Sequence, residues 1–390
     1  KLAFGVEPSN RRFRLRLARY PDLAEKIAKL SGTGECTNVL DLGCGDGRLT
    51  AALCAADSYL VHGLDSDPAN VAKARTHIRS LGLYGPVAVD AWDGKRLPYI
   101  SGVAKLVVAE QPVPMAEVLR VLCPNGVAYV RQRGTWTKTV KPRPKEIDEW
   151  THYMHDASGN AVSNDTVVGP PRRLQWVGGP RWGRHHEHMS SVTALVSSNG
   201  RLFYVIDEGS RASIQLPPKW KLIARDAFSG VVLWKRDIPL WYTHLYPLKS
   251  GPAFLPRRLV AVGNRVYVTL GLDQPLSILD AATGKTLRTI EQSKATEEIL
   301  CSDGVLFLLV NKTPCKPDRY TWKVPVCWDE GGRVARERPW DQKPRTILAV
   351  DAETGQTLWS RDSAVAPLTL SADDRHVVFH DGEKVACLDR

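Results

Sequence analysis

The residues best suited to chemistry fall in Val39–Thr50 (VLDLGCGDGRLT), where an apolar run headed by Val39 and carrying Asp41 meets Gly43, Gly45 and Gly47. Three alternating glycines let the backbone turn tightly and approach a ligand before Leu49 opens a helix. The spacing is D-x-G-x-G-x-G, and Arg48 stands where the dinucleotide fingerprint G-x-G-x-x-G needs its last glycine. The loop is therefore not spaced for a pyrophosphate. Asp65 ends the next apolar strand, where a carboxylate can accept hydrogen bonds from both hydroxyls of a ribose. A helix cap is the plainer role for an acid here, but Asp67 fills it better. Further on, Trp92 offers a face on which a ring could stack, and Asp93-Gly94 reads as an ordinary turn.

A second group of candidates is His185-His186-Glu187-His188, preceded by Arg181-Trp182-Gly183-Arg184. On a strand His186 and His188 share a face and could chelate a metal together while Glu187 points away. Two imidazoles do not complete a site, so a polar loop, or a phosphate or carboxylate pocket with Arg181 and Arg184, is the better account. His152 and His155, with Tyr153 and Asp156, could serve a general base, but hydrogen bonds that fasten a strand explain them more simply. No catalytic base is identified. The eight cysteines include no C-x-x-C, which argues against a zinc cluster or a thioredoxin-type site. Cys315 and Cys327 could pair in an oxidising compartment, with free thiols the simpler reading.

The elements that must position these residues alternate. Strands are expected at Val39–Leu42, Tyr59–Leu64, Val87–Val89, Lys105–Glu110 and Val127–Val130, with helices at Leu49–Ala56, Pro68–Leu81 and Ala116–Leu122. That is the pattern of a parallel sheet with helices on its faces. A helix over Tyr20–Leu30 is expected to cover the sheet edge. Only Gln111–Met115 separates the fourth strand from its helix, and no antiparallel pair is evident after the fifth strand. Arg131–Lys145 carries six basic residues and no acid, and 135–149 reads as a basic linker.

From Glu146 the helical period vanishes and a repeat sets in. Ala224–Trp234 (ARDAFSGVVLW) returns as Ile278–Leu287 (ILDAATGKTL) and as Ala349–Trp359 (AVDAETGQTLW). Each copy follows a turn-then-aromatic pair: Asn199-Gly200, Gly263-Asn264 and Asp303-Gly304, with a fourth starting at Asp373-Asp374. Asp ties the turn, Gly takes the left-handed position, and Leu-Trp sends an aromatic plate against the neighbouring unit. At Arg288 that Trp is missing. Insertions are expected at Asp207–Lys221 and Asn311–Arg345.

The glycine loop, Asp65, the phrase Asp93…Leu97-Pro98-Tyr99 and Leu119–Gly126 (LRVLCPNG) together resemble class I S-adenosylmethionine (SAM) methyltransferases. The repeat resembles pyrroloquinoline quinone (PQQ)-type β-propellers, and Trp150…Asp156…Asn160…Ser163 with Leu174-Gln175-Trp176 resembles their opening. The resemblance implies a Rossmann-like domain over residues 1–134, the linker, and an all-β propeller over 150–390 with about four blades present and the last one incomplete. It implies that Gly43, Gly45 and Gly47 cradle the methionine end of SAM, Asp65 holds the ribose, and Asp93 with Trp92 the adenine, with Asp41, Cys44 and Ser66 also among the cofactor-binding residues. PQQ is not expected, because the vicinal Cys-Cys pair of the quinone dehydrogenases is absent from the sequence. Three functions follow: a SAM-dependent methyltransferase, a non-enzymatic envelope scaffold whose first domain is a relic, or a quinoprotein oxidoreductase.

With 390 residues the chain exceeds one typical core. Its net charge of +11 suits an anionic partner such as nucleic acid, but the charge is scattered, and a protein or polysaccharide partner on the propeller is the stronger expectation. No apolar run reaches the ~18 residues of a membrane span. The opening Lys1 suggests a processed or cut N-terminus. Propellers of this type point to the periplasm or envelope, whereas an active SAM enzyme points to the cytoplasm.

Overall fold

The computed structural model describes residues 38–390 apart from 56–57, 171–173, 181, 185–189, 214, 243–253, 314–339 and 341. The chain divides into two compact units. One comprises Lys1–Lys145, Gly169–Val177 and Phe228–Leu233, and the other Glu146–Val168, Gly178–Ala227 and Trp234–Arg390. The helix expected at Tyr20–Leu30 lies outside the described residues.

The first unit holds a six-stranded sheet, with β1 Asn38–Leu42, β2 Leu60–Asp65, β3 Val87–Ala91, β4 Ala104–Ala109, β5 Leu122–Gln132 and β6 Thr135–Val140 in the order β3-β2-β1-β4-β5-β6. β1 pairs in parallel with both β2 and β4, so the strand order reverses beside β1. In open α/β sheets ligands bind outside the carboxyl ends of the strands at such a point. The helices are α1 Arg48–Ala52, α2 Pro68–Ser80 and α3 Met115–Val121. Alternation along β1 serves two cores: Val39 joins Val71, Ala74 and Ile78 of α2, while Leu40 and Leu42 join Val118 and Val121 of α3. Asp67 caps α2 by accepting from Ala69 N at 2.8 Å, with Pro68 in the first turn.

Two expectations change here. Helix α1 ends at Ala52, well short of Ala56. Thr135–Val140, expected in a basic linker, is strand β6, antiparallel to β5. Its Trp136 stacks on Tyr129 with centroids 4.9 Å apart and planes 5° from parallel. The cross-strand aromatic pair holds a strand that its lysine and threonines alone would not have placed.

The second unit is β-rich. Three four-stranded antiparallel sheets follow one another, formed by β7 Val192–Ser198 to β10 Val232–Asp237, β11 Leu259–Val262 to β14 Thr286–Ile290, and β15 Thr296–Ser302 to β18 Thr357–Ser363. A three-stranded sheet, β19 Ser371–Ala372 to β21 Val385–Asp389, comes last. Strand β16, Val305–Val310, is buried along its whole length because its neighbours in sequence enter different cores. Leu306 and Leu308 pack with Ile278 and Ile290 of the preceding sheet, and Phe307 and Leu309 with Val377 and Phe379 of the next. A strand sandwiched this way reads as a continuous apolar run.

The repeated turn has one geometry. Asp280 Oδ1 accepts from Thr283 N at 2.8 Å and Thr283 Oγ1 at 2.7 Å, and Asp351 does the same for Thr354 at 2.6 and 2.8 Å. Gly284 follows at φ 69° and Gly355 at φ 76°. The Trp234 ring fills the space over Gly284, where a β-carbon would lie 2.6 Å from it, and Trp234 Nε1 donates to Ala281 O at 2.9 Å. Arg288 takes the same position over Gly355, so the aliphatic part of its side chain substitutes for the missing plate.

The first strand of each sheet is an edge, and its N–H groups need acceptors. One short segment supplies them in succession. Ser197 N donates to Trp150 O at 2.7 Å, Ala261 N to Thr151 O at 3.0 Å, Cys301 N to His152 Nε2 at 3.0 Å, and Ala372 N to Ala157 O at 2.9 Å. Ser197, Ala261 and Cys301 are each the penultimate residue of their strand. Among the described residues no helix is long and apolar enough to cross a membrane.

Replacing Gly284 by Ala should cost more stability than replacing Gly304. Both have positive φ, at 69° and 80°, which costs an L-residue ~1–2 kcal/mol, but only Gly284 has a ring above it. Overpacking adds roughly 1–3 kcal/mol there. Urea midpoints of the two variants measure the difference, and equal losses would show that the Trp234 plate yields freely.

Candidate functional site

The glycine loop follows β1 at the point of strand reversal. Gly43, Gly45 and Gly47 all adopt positive φ, at 82°, 52° and 78°. Their N–H groups turn inward: Gly43 N and Cys44 N donate to Leu64 O at 2.8 and 3.1 Å, and Gly45 N donates to Asp65 Oδ2 at 2.9 Å. The glycines are required for different reasons. A β-carbon on Gly47 would lie 2.7 Å from Ala74 of α2, a packing constraint, whereas one on Gly43 would lie 2.4 Å from the Gln111 amide. Over Gly45 the space is open.

Beneath the loop, Asp41 is fully buried. Its Oδ2 accepts from Thr50 Oγ1 at 2.6 Å, and its Oδ1 has no hydrogen-bond partner. Burial lifts its pKa to about 7, the Thr50 bond opposes the rise, and the carboxylates of Glu110 and Asp65 add to it. Burial, with Asp41 and Asp65 nearby, likewise pushes the Cys44 thiol up to about 12 and makes it inert at neutral pH. The carboxyl ends of β2 and β4 thus bring Asp65 and Glu110 into range of Asp41.

Asp65 is nearly buried, and Gly45 N, Asp67 N and Asn70 Nδ2 already donate to it at 2.9, 2.9 and 3.3 Å. A carboxylate has about four acceptor positions, so the arrangement leaves room for one hydroxyl and not for two. Ser66 beside it is exposed. Trp92 N donates to Asp65 O at 2.9 Å, which sets the Trp92–Asp93 turn next to Asp65. There the Trp92 indole donates to Arg96 O at 2.9 Å and packs on the α3 core, while Asp93 Oδ1 accepts from Lys95 N at 3.0 Å before Gly94 at φ 76°. Asp93 therefore has the geometry of a turn aspartate.

The two weaker phrases of the sequence meet in space. Arg120 donates to Leu97 O, Tyr99 O and Glu117, and Glu117 accepts from Leu97 N at 3.1 Å. Leu97-Pro98-Tyr99 and Arg120-Val121-Leu122 are thus two halves of one clamp. Tyr99 OH lies 2.6 Å from His62 Nδ1, and His62 Nε2 lies 3.0 Å from Asp90, which also accepts from Arg75 at 2.6 Å. Reasoning from sequence passed over Thr50, Asn70, Glu110 and Gln111, which follow motif residues but belong to no motif. The available signal was position: Glu110 and Gln111 follow the end of β4, and Thr50 and Asn70 sit in the first turns of α1 and α2.

The other candidates divide. Arg184, expected in an anion pocket, is buried against Asp207 at 2.8 Å and donates to Ser210 O and Ser213 O, so its guanidinium is closed to an incoming anion. His152 is buried, which drives its pKa down to about 3 and keeps it a neutral acceptor for Cys301 N. His155 Nε2 lies 2.7 Å from Asp148. Arg181, the His185–His188 cluster, Cys315 and Cys327 lie outside the described residues. Among those described, no group of three or more His, Cys, Asp or Glu is placed to hold a metal.

Residues 39–126 match a family model described as "Methyltransferase domain". No curated protein matches the chain. Similar solved structures include the [4+2]-cyclase SpnF, 26% identical over 29% of this chain and 46% of that one, with TM-score 0.25. A putative S-adenosyl-L-methionine-dependent methyltransferase from Methanococcus maripaludis is 20% identical over 32% and 67%, with TM-score 0.27. Geranyl diphosphate C-methyltransferase from Streptomyces coelicolor A3(2), in complex with Mg2+, geranyl diphosphate and S-adenosyl-L-homocysteine, is 18% identical over 33% and 51%, with TM-score 0.27. The chain spans about half the length of the first and third of these. Over residues 39–126 the chain is thus similar to a methyltransferase domain.

Proposed function

We propose that the first unit binds SAM through the glycine loop and transfers its methyl group, and that the β-rich unit is a propeller serving as a binding platform. The observation that carries the cofactor reading is Asp41 Oδ1, a buried carboxylate oxygen without a donor beneath a glycine loop at the strand reversal. Glu110 and Asp65 stand close enough to raise its pKa further. Such a site repels a pyrophosphate and suits a ligand whose positive charges outnumber its carboxylate. SAM, with a sulfonium and an ammonium, fits that donor set and supplies an activated methyl group when bound. In this reading Gly43, Cys44 and Gly45 line its methionine end, Asp65 accepts one ribose hydroxyl, and Trp92 and Asp93 border the adenine. Gln111, whose amide covers Gly43, has to move or become part of the binding surface.

The propeller reading is supported by the repeat, by alternate faces of one sheet packing into two cores, and by first strands that lie against one another, β7 on β11, β11 on β15 and β15 on β19. A non-enzymatic alternative is favoured by a specific feature: only Glu110–Pro114 separates β4 from α3, little chain in which to hold a methyl acceptor. In that case the first unit retains the cofactor without turning it over.

Titration of the full chain with SAM should show binding that weakens by about tenfold or more in Asp65→Ala, the loss of a charge-assisted hydrogen bond. Absence of binding, or indifference to that substitution, would refute the cofactor reading. Binding without S-adenosylhomocysteine release across a panel of candidate acceptors favours the non-enzymatic alternative. A second test concerns Asp41 and stability. Its folded pKa of about 7 lies above the ordinary 3.8, so the unfolded chain gives up the proton first. The contribution is intact below about pH 4 and is lost as pH rises towards 7, a change on the order of a few kcal/mol. The stability difference between wild type and Asp41→Asn, followed by urea unfolding, should therefore shift in favour of the variant across that window and stay flat above it.

A further inference from the structure

The second unit contains a cleft of about 650 Å³ that the cofactor reading does not use and whose lining lies wholly within that unit. Its floor is the buried pair of Arg184 and Asp207, 2.8 Å apart. Arg184 also donates Nε to Ser210 O at 2.8 Å and Nη2 to Ser213 O at 2.9 Å, with Leu216 O a further acceptor. Gly209 makes room for this, since a β-carbon there would lie 2.8 Å from both Arg184 Nη1 and Asp207 Oδ1. The loop is thereby pinned on either side of Arg211. Arg211 itself lines the cleft, is exposed, and has no hydrogen bond or ion pair among the described residues. A guanidinium carried on a fixed backbone and left without a partner is a preorganised anion contact.

Trp182 lines the same cleft and is 64% exposed. Leaving that much indole in water is unfavourable unless something stacks on it. Glu208 and Lys235, paired at 2.6 Å, add acceptors and donors to the lining. The set is therefore a flat apolar face, one unmatched cation, and a carboxylate–ammonium pair able to share hydrogen bonds. A phosphate-rich ligand needs donors alone and would meet the Glu208 carboxylate, while a neutral sugar leaves Arg211 unused. A ring with C–H faces, hydroxyls and a single carboxylate uses every part.

We propose that this cleft binds an acidic saccharide of the uronate type, with a sugar ring on Trp182, its carboxylate on Arg211 and its hydroxyls on Glu208 and Lys235. The inference does not rest on the cofactor reading. The test is calorimetric titration of the full chain with trigalacturonate, maltotriose and AMP, with indole fluorescence followed in parallel. Trigalacturonate is expected to bind and to change the fluorescence, with maltotriose and AMP about tenfold weaker or worse. Trp182→Ala and Arg211→Gln should each weaken trigalacturonate binding by about tenfold while leaving the thermal midpoint and SAM binding unchanged, because both side chains are exposed. Absence of trigalacturonate binding, equal or tighter binding of maltotriose or AMP, or indifference to both substitutions would overturn the proposal.

Discussion

A buried carboxylate oxygen with no donor is the constraint around which the first unit is arranged. Asp41 could reach water only if the loop above it opened, and Thr50 satisfies just one of its oxygens. Removing a charged oxygen from water without a partner costs several kcal/mol, and the chain answers by lifting the pKa to about 7 rather than by adding a donor. The neighbouring elements make the situation worse and not better, since β2 ends on Asp65 and β4 is followed by Glu110. A fold that concentrates negative charge where its strand order reverses is poised for a cation. Of the three left-handed glycines above it, Gly47 is needed for packing on Ala74 and Gly43 lies under the Gln111 amide, so only Gly45 faces open space.

The second unit meets a different constraint, the unpaired edge of each first strand. A four-stranded antiparallel sheet leaves one row of N–H groups open on that strand, and four successive sheets repeat the deficit. Residues Trp150, Thr151, His152 and Ala157 each satisfy one N–H of it, with two backbone oxygens, one imidazole nitrogen and one more backbone oxygen. The imidazole has to be neutral to accept, and its burial guarantees this by driving the pKa to about 3. The sequence offered hydrogen bonds that fasten a strand as the simpler account of His152 and His155, and His152 has that role.

How much of this was legible depended on whether the cause was local. The D-x-G-x-G-x-G loop, the capped helix after Asp67 and the Asp–Thr–Gly turns are local, and each has the expected geometry. The family match over residues 39–126 coincides with the stretch in which such signals are dense. Strand β6 was read as linker because basic residues flank it on both sides and its stacking partner lies seven residues upstream, although its own threonines, Trp136 and Val140 suit a strand. Arg184 was ambiguous for a similar reason: a guanidinium in sequence reads equally as part of a polar loop or of an anion pocket until Asp207 is brought against it. Gln111 and Glu110 carry no motif at all and acquire meaning only because β4 delivers them beside the glycine loop.

Phrases shared with a family are thus evidence of different kinds. Leu97-Pro98-Tyr99 and Arg120-Val121-Leu122 match the resemblance closely, yet their visible work is to hold each other, through Arg120 bonds to two carbonyls and Glu117. They would persist in a domain that had lost its chemistry. Asp41 has the opposite character, because a sequence selected for stability alone would replace a buried, half-satisfied acid by Asn or by an apolar residue. Its place at the floor of the loop costs the fold, and the Thr50 bond offsets that cost at one oxygen only. In the SAM-binding reading proposed above, a cofactor that is positive at the point of contact supplies the return.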